Sequence, residues 1–187
     1  MATHRTLPGF HAPAVGFEQP FEMLEACHER VQRTLDLLAR LISHIEQQGH
    51  DASSRSAATD VLRYFDLAAP LHHADEEAHV FPRLLAQDDP AQCQAVHRLL
   101  QEHREMETTW AALRPWLVQV AAVPTVSQAL APVSAEVRET AKHFAELYAG
   151  HLICEERWAF KQAREGLSED ALAQMGHSMQ ARRSPGA

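Results

Sequence analysis

The segment His151-Leu152-Ile153-Cys154-Glu155-Glu156-Arg157-Trp158-Ala159-Phe160 has a counterpart about eighty residues earlier. That counterpart reads His72-His73-Ala74-Asp75-Glu76-Glu77-Ala78-His79-Val80-Phe81. In each, a His is followed four residues on by a Glu, and that Glu five residues on by a Phe. Positions i and i+4 of a helix sit one above the other on a single face. If helical, each segment points an imidazole and a carboxylate the same way.

The surrounding sequence is helical throughout. Phe21, Leu24, His28, Val31, Leu35, Leu38, Ile42 and Ile45 step by three and four, and Gly49 follows as a C-terminal stop. Ser53 and Ser54 are candidate caps for a second helix, inside which Pro70 predicts a kink or local break. Gln87 to Pro90 reads as a turn, with Pro90 opening the third helix. That helix carries Val96, Leu99, His103, Met106, Trp110, Leu113, Leu117 and Val120, with Pro115 as a site of bending. Residues 122–132 read as a loop. Val137, Ala141, Phe144, Tyr148, His151, Glu155 and Trp158 line the fourth helix, which should stop near Gly166. Ser168 caps a tail helix ending at Arg182 and Arg183. No useful strand alternation is present.

The expected fold is therefore all-α. It is an up-down-up-down four-helix bundle over residues 21–165, with an extended leader over 1–20 and a short tail helix over 168–183. Helices of about 30 residues are about 45 Å long, and short connections make sequential ones antiparallel. The length of 187 residues suits one domain.

The charge is −8, from 17 Lys and Arg against 25 Asp and Glu, which argues against nucleic acid and anionic membrane as partners. No window approaches the ~20 apolar residues of a membrane span. Met1 to Phe10 lacks a secretory pattern, and three scattered cysteines without a CxxC suggest reduced thiols in a cytoplasm. The unusual count is 13 His.

Several of these His fall on core stripes. His28 does so in the first helix, His103 in the third, and His151 with Glu155 in the fourth. In the second helix Pro70 can shift the phase, so His72 with Glu76 and His73 with Glu77 both fit. The internal match selects His72 and Glu76, which alone bring Phe81 opposite Phe160. Four imidazoles and two carboxylates then converge at mid-bundle. Unpaired buried carboxylates cost several kcal/mol each. Two cations bridged by those carboxylates would remove that cost, and the donor set suits iron, manganese or zinc. The competing reading is a metal-free His–Glu hydrogen-bonded cluster.

From about Pro20 to Arg183 the chain resembles the hemerythrin-like, or HHE cation-binding, family. The resemblance is carried by Ala26-Cys27-His28-Glu29-Arg30, by His72 to Pro82, by Glu102-His103-Arg104-Glu105-Met106 and by His151 to Phe160. It implies a non-haem di-iron centre with an oxo or hydroxo bridge. By position, His28 and His72 would hold one iron, His103 and His151 the other, and Glu76 and Glu155 would bridge. One departure stands out. Oxygen-carrying hemerythrins place a second His one turn before the equivalent of His103, and here that position is Leu99. The site thus resembles a four-His, two-carboxylate variety with open coordination. His73, His79 and His177 are the candidates for a further ligand. Tyr148 could hydrogen-bond a bridging group or simply fill the core. Cys27 and Cys154 neighbour ligands in sequence, and an inert buried thiol is the ordinary outcome. Glu77, Glu156 and Asp75 read as solvated or outer contacts. His4, His11, His44, His50 and His143 read as surface residues.

The function expected from the resemblance is binding or sensing of dioxygen, nitric oxide or peroxide. With no output segment attached, a sensor would need a protein partner or a second copy. Catalysis as a ferroxidase or peroxide-consuming enzyme, iron storage or iron-centre repair, and a structural zinc site are the alternatives. No substrate path or redox-cycling device is legible, so catalysis is not the first reading.

Overall fold

A computed structural model describes residues 15–124 and 132–184. Among them every regular element is helical. They are α1 (Pro20–Gln48), α2 (Ala52–Arg63), a π turn (Tyr64–Ala68), α3 (Ala69–His79), α4 (Phe81–Leu85), α5 (Pro90–Ala122), α6 (Ala135–Cys154), a second π turn (Glu155–Ala159), α7 (Phe160–Arg164) and α8 (Glu169–Ala181). The long segments pack side by side as a helical bundle.

The boundaries follow from local chemistry. Gly49 (φ 84°) and Gly166 (φ 71°) take left-handed conformations just past α1 and α7. The cap of α2 is Asp51 rather than Ser53 or Ser54. Its carboxylate accepts from the Ser54 amide at 2.8 Å, while the Ser54 hydroxyl accepts from the Asp51 amide at 2.9 Å. Asp89 caps α5 and Ser168 caps α8. Ser134, absent from the periodicity, caps α6.

Pro70 acts one turn upstream of itself. It lacks an N–H, and its ring crowds the carbonyl four residues back. The Tyr64–Ala68 π turn absorbs this, with the Ala69 amide bonding the Tyr64 carbonyl. The break at Val80, between α3 and α4, precedes Pro82 in the same way. Pro115, by contrast, leaves α5 a single helix, since both it and the residue four before it face solvent. The π turn at Glu155–Ala159 has no proline and no sequence signal. It buries Ala159 and Phe160 and leaves Trp158, expected on the core stripe, only partly buried.

The apolar core is two layers. One contains Val31, Leu35, Phe65, Met106, Phe144 and Tyr148. The other contains Phe21, Leu24, Phe81, Leu99, Phe160 and Met179. Between them lies a layer of buried His and Glu. Along α1, His28 separates Leu24 from Val31; along α5, His103 separates Leu99 from Met106.

Of the expected leader, residues 1–14 lie outside the described residues. The piece from Val15 to Gln19 is not simply extended: the Gln19 amide bonds the Gly16 carbonyl at 3.1 Å. It lies against α8, where a Cβ on Gly176 would come 1.9 Å from the Phe17 carbonyl oxygen. Most of the expected 122–132 loop also lies outside the described residues. No helix among the described residues is long and apolar enough to cross a membrane.

Candidate metal centre

Each segment of the bundle contributes to the polar layer. His28 comes from α1, His72 and Glu76 from α3, His103 from α5, His151 from α6, and Glu155 from the first position of the second π turn. All six are at most 1% exposed. Their donor atoms form two overlapping groups, His28–His72–Glu76–Glu155 and Glu76–His103–His151–Glu155, each with all ligand atoms within 4.8 Å of one another. Both groups share the two carboxylates.

The inner contacts are close. His72 Nε2 lies 3.1 Å from Glu76 Oε1, and His151 Nε2 lies 3.1 Å from Glu155 Oε1. His28 Nε2 lies 3.3 Å from Glu155, and His103 Nε2 lies 3.5 Å from Glu76. Nearness is not satisfaction. Both oxygens of Glu76, both of Glu155, His28 Nε2 and both nitrogens of His72 are buried without a hydrogen bond among the described residues. Buried polar groups are normally paired. A set of ligand atoms that converge, with only the Nε2 atoms of His103 and His151 hydrogen-bonded to each other at 3.0 Å, fits cations held between them.

The outer faces of the imidazoles tell the opposite story. His28 Nδ1 donates to Glu156 at 2.9 Å, His103 Nδ1 to Glu77 at 2.8 Å, and His151 Nδ1 to Glu102 at 2.9 Å. A carboxylate on Nδ1 leaves the Nε2 lone pair facing inward and makes it a stronger donor. Each Glu-Glu doublet therefore has two duties. Its first carboxylate enters the polar layer, and its second reaches sideways to the His of a neighbouring helix. The Phe of each segment completes the unit: Phe160 stacks on His28 at 5.2 Å and Phe81 lies against His103 at 5.5 Å.

Charge is distributed unevenly across the layer. Burial opposes a proton on His28, but the Glu155 and Glu76 carboxylates hold its pKa up to about 10. His151 reaches about 10 against the same burial, through Glu155 and Glu102. Burial, with His73 and His151 nearby, pushes His103 down to about 2. Burial and the neighbouring His28 hold His72 well below the usual range. Burial and the facing Glu155 carboxylate push Glu76 up to about 8. Glu155 resists burial and stays well below the usual carboxylate range because His151 and His28 surround it.

The other candidates fall outside the two groups. His73 is buried at the edge of the layer, its ring stacked on His103 at 3.9 Å, with Tyr148 Oη 3.5 Å from its Nε2. His79 pairs with Ser178 at 3.0 Å, and His177 is exposed on α8. Cys27 is buried, and Cys154 accepts from Arg98 at 3.2 Å. Leu99, where an oxygen carrier has an imidazole, is a fully buried apolar contact. Asp75, read as a solvated or outer group, is fully buried and clamped by Arg182 and by Arg183, the latter at 2.7 Å. His50 is also more than a surface residue: it joins Ser54 at 2.9 Å and the Val123 carbonyl at 3.0 Å. His44 pairs with Asp51 and His143 with Glu105, while His4 and His11 lie outside the described residues. The sequence missed the role of Glu102; its adjacency to His103 and the repeated Glu-Glu doublets were the available signals.

A helical bundle with a buried His–Glu layer defines a metal-binding class, and the comparison with family models agrees. Residues 19–163 match the hemerythrin HHE cation binding domain, and the chain belongs to that family. It is also 33% identical over 171 residues to a Haemophilus influenzae protein described as an uncharacterized protein, covering 89% of this chain and 91% of that one.

Proposed function

We propose that this chain is a non-haem di-iron protein that binds a small molecule, dioxygen, nitric oxide or peroxide, at the iron pair. In this reading His28 and His72 hold one iron, His103 and His151 the other, and Glu76 and Glu155 bridge them. The four long segments form the up-down-up-down arrangement within a single domain. Cross-helix pairs support it: Arg138 near the start of α6 meets Glu46 near the end of α1, while His28 near the start of α1 meets Glu156 past the end of α6.

The observation that carries the proposal is the unsatisfied inward face of the layer, four carboxylate oxygens and the Nε2 atoms of His28 and His72, beside the hydrogen-bonded Nδ1 atoms of His28, His103 and His151. Of the inward groups only His103 and His151 pair, Nε2 to Nε2 at 3.0 Å, whereas a purely structural cluster would pair its carboxylates as well. When bound, iron supplies one-electron chemistry and affinity for diatomic ligands. The protein's part is to fix four imidazoles, exclude water through Phe81 and Phe160, and leave coordination open where Leu99 offers no donor.

Protein expressed in iron-replete medium should hold about two iron per chain and show near-ultraviolet charge-transfer bands. Those bands should change when the reduced protein meets dioxygen or nitric oxide. Zinc alone, or no metal, would overturn the di-iron reading. An unchanged spectrum would overturn small-molecule binding, and turnover of peroxide would move the assignment to an enzyme.

A further inference from the structure

The two halves of the layer are related by an approximate internal repeat, and the repeat is broken in the outer hydrogen bonds of the imidazoles. Glu77 holds His103 and Glu156 holds His28, so the doublets are equivalent. Glu102, just before His103, holds His151 Nδ1. Its counterpart, just before His28, is Cys27. His72 Nδ1, the counterpart of His151 Nδ1, is buried with no hydrogen-bond partner among the described residues. Both imidazoles of the His103–His151 half are thus held by carboxylates, against one of two in the His28–His72 half.

We propose that the two metal positions have different jobs: the His103–His151 half retains its cation and the His28–His72 half exchanges its own. This rests on the dinuclear reading above. An outer carboxylate fixes the ring and strengthens its donor nitrogen, and its loss costs ~10–100-fold in affinity. The charge around each half points the same way. Glu77 and Glu102 back the first half, Glu102 being shared with an exposed Arg98 at 3.4 Å. Beside His72, the buried Asp75 is over-compensated by Arg182 and Arg183, which leaves a net positive patch. The predicted resting form under scarce metal is a chain with one cation, on His103 and His151.

Mutual repulsion weakens the second of any two neighbouring cations, so the stepwise ratio alone decides nothing. The test is which half each step reports. Mn2+ is titrated calorimetrically into metal-free protein, with circular dichroism confirming the fold of each variant. Glu102→Gln should weaken the first step about 10-fold; Glu156→Gln should spare the first step and weaken the second. As a second pair, His28→Ala should keep one Mn2+ at the wild-type first constant, whereas His103→Ala should bind its remaining Mn2+ at least 10-fold more weakly. Reversed or equal sensitivity overturns the inference while leaving the dinuclear reading intact. Fewer than two Mn2+ in the wild type overturns both.

Discussion

Replacing both inward carboxylates by methionine, Glu76→Met with Glu155→Met, should abolish metal binding and yet stabilise the metal-free chain. All four carboxylate oxygens are buried and lack hydrogen bonds among the described residues. Compensation in the metal-free state comes from His28 at 3.3 Å and His151 at 3.1 Å, which must carry protons to supply it. Desolvation of such a cluster commonly exceeds its internal attraction, and apolar residues of similar size are typically neutral or better by ~1–4 kcal/mol. Methionine matches glutamate in length and adapts to the space. For a chain of this size each kcal/mol moves the midpoint by ~2–4 °C, so the expected gain is ~2–16 °C.

The assay is thermal unfolding followed by circular dichroism at pH 7, after chelation and again with excess Mn2+. Wild type should gain ~4 kcal/mol per cation at a thousandfold excess over its Kd, while the double variant gains nothing. The expected order of midpoints is loaded wild type, then the variant, then metal-free wild type. A variant that melts several degrees below metal-free wild type would refute the reasoning. The carboxylates would then stabilise the fold unaided, and the layer would be a self-sufficient polar cluster.

Three further outcomes follow from the same contacts. His28 and His151 are both held up to about 10, so they are protonated at neutral pH. Metal uptake at pH 7 should release at least two protons per chain, read as a buffer-dependent calorimetric enthalpy. The sign is that of a raised His: the stability from these ion pairs is complete below pH 6.5 and fades as pH rises toward about 10, so metal competes better at higher pH. Asp66, in the first π turn, accepts from Trp110 at 3.0 Å and Arg114 at 2.9 Å, and Arg114 holds its pKa below the usual value of 3.8. Asp66→Ala should cost ~1–2 kcal/mol in urea unfolding at pH 7, with the difference from wild type vanishing as pH falls through the Asp66 value. Removing Arg182 and Arg183 together leaves Asp75 buried and uncompensated, a loss of ~3–5 kcal/mol by thermal unfolding, and adding Asp75→Asn should recover part of it.

Much of this was legible in the sequence because bundle helices expose their phase. The apolar steps of α1 and α5 located His28 and His103 directly. The repeated His-x-x-x-Glu spacing, with its trailing Phe, chose His72 over His73, and the structure brings His72 into the layer and leaves His73 beside it. What periodicity could not show is backbone that departs from 3.6 residues per turn. The π turn at Glu155–Ala159 shifts the phase by about one residue and exchanges Trp158 for Ala159 and Phe160. Contacts between distant helices were also silent. Asp75 read only as a solvated or outer group because its partners, Arg182 and Arg183, lie more than a hundred residues away. Glu102 lay within a quoted motif, but its target, His151, is on another helix.

The Glu-Glu doublets explain why so few residues build so dense a site. Adjacent helical residues diverge by about 100°, so two successive glutamates cannot serve the same centre. One faces the layer and the next faces a neighbouring helix, and here that neighbour presents a His. Each doublet thereby ties three things: its own carboxylate, the partner His, and the crossing of two helices. Phe81 and Phe160 stand five residues past the inward Glu and cover the same partner His from the other side. The arrangement fixes ring orientation before any cation arrives, so ordering the ligands adds little to the cost of binding. It also concentrates the asymmetry. With the doublets matched, Cys27 stands where the counterpart of Glu102 would be, His72 Nδ1 has no hydrogen-bond partner among the described residues, and on the proposal above this difference decides whether the two halves behave alike.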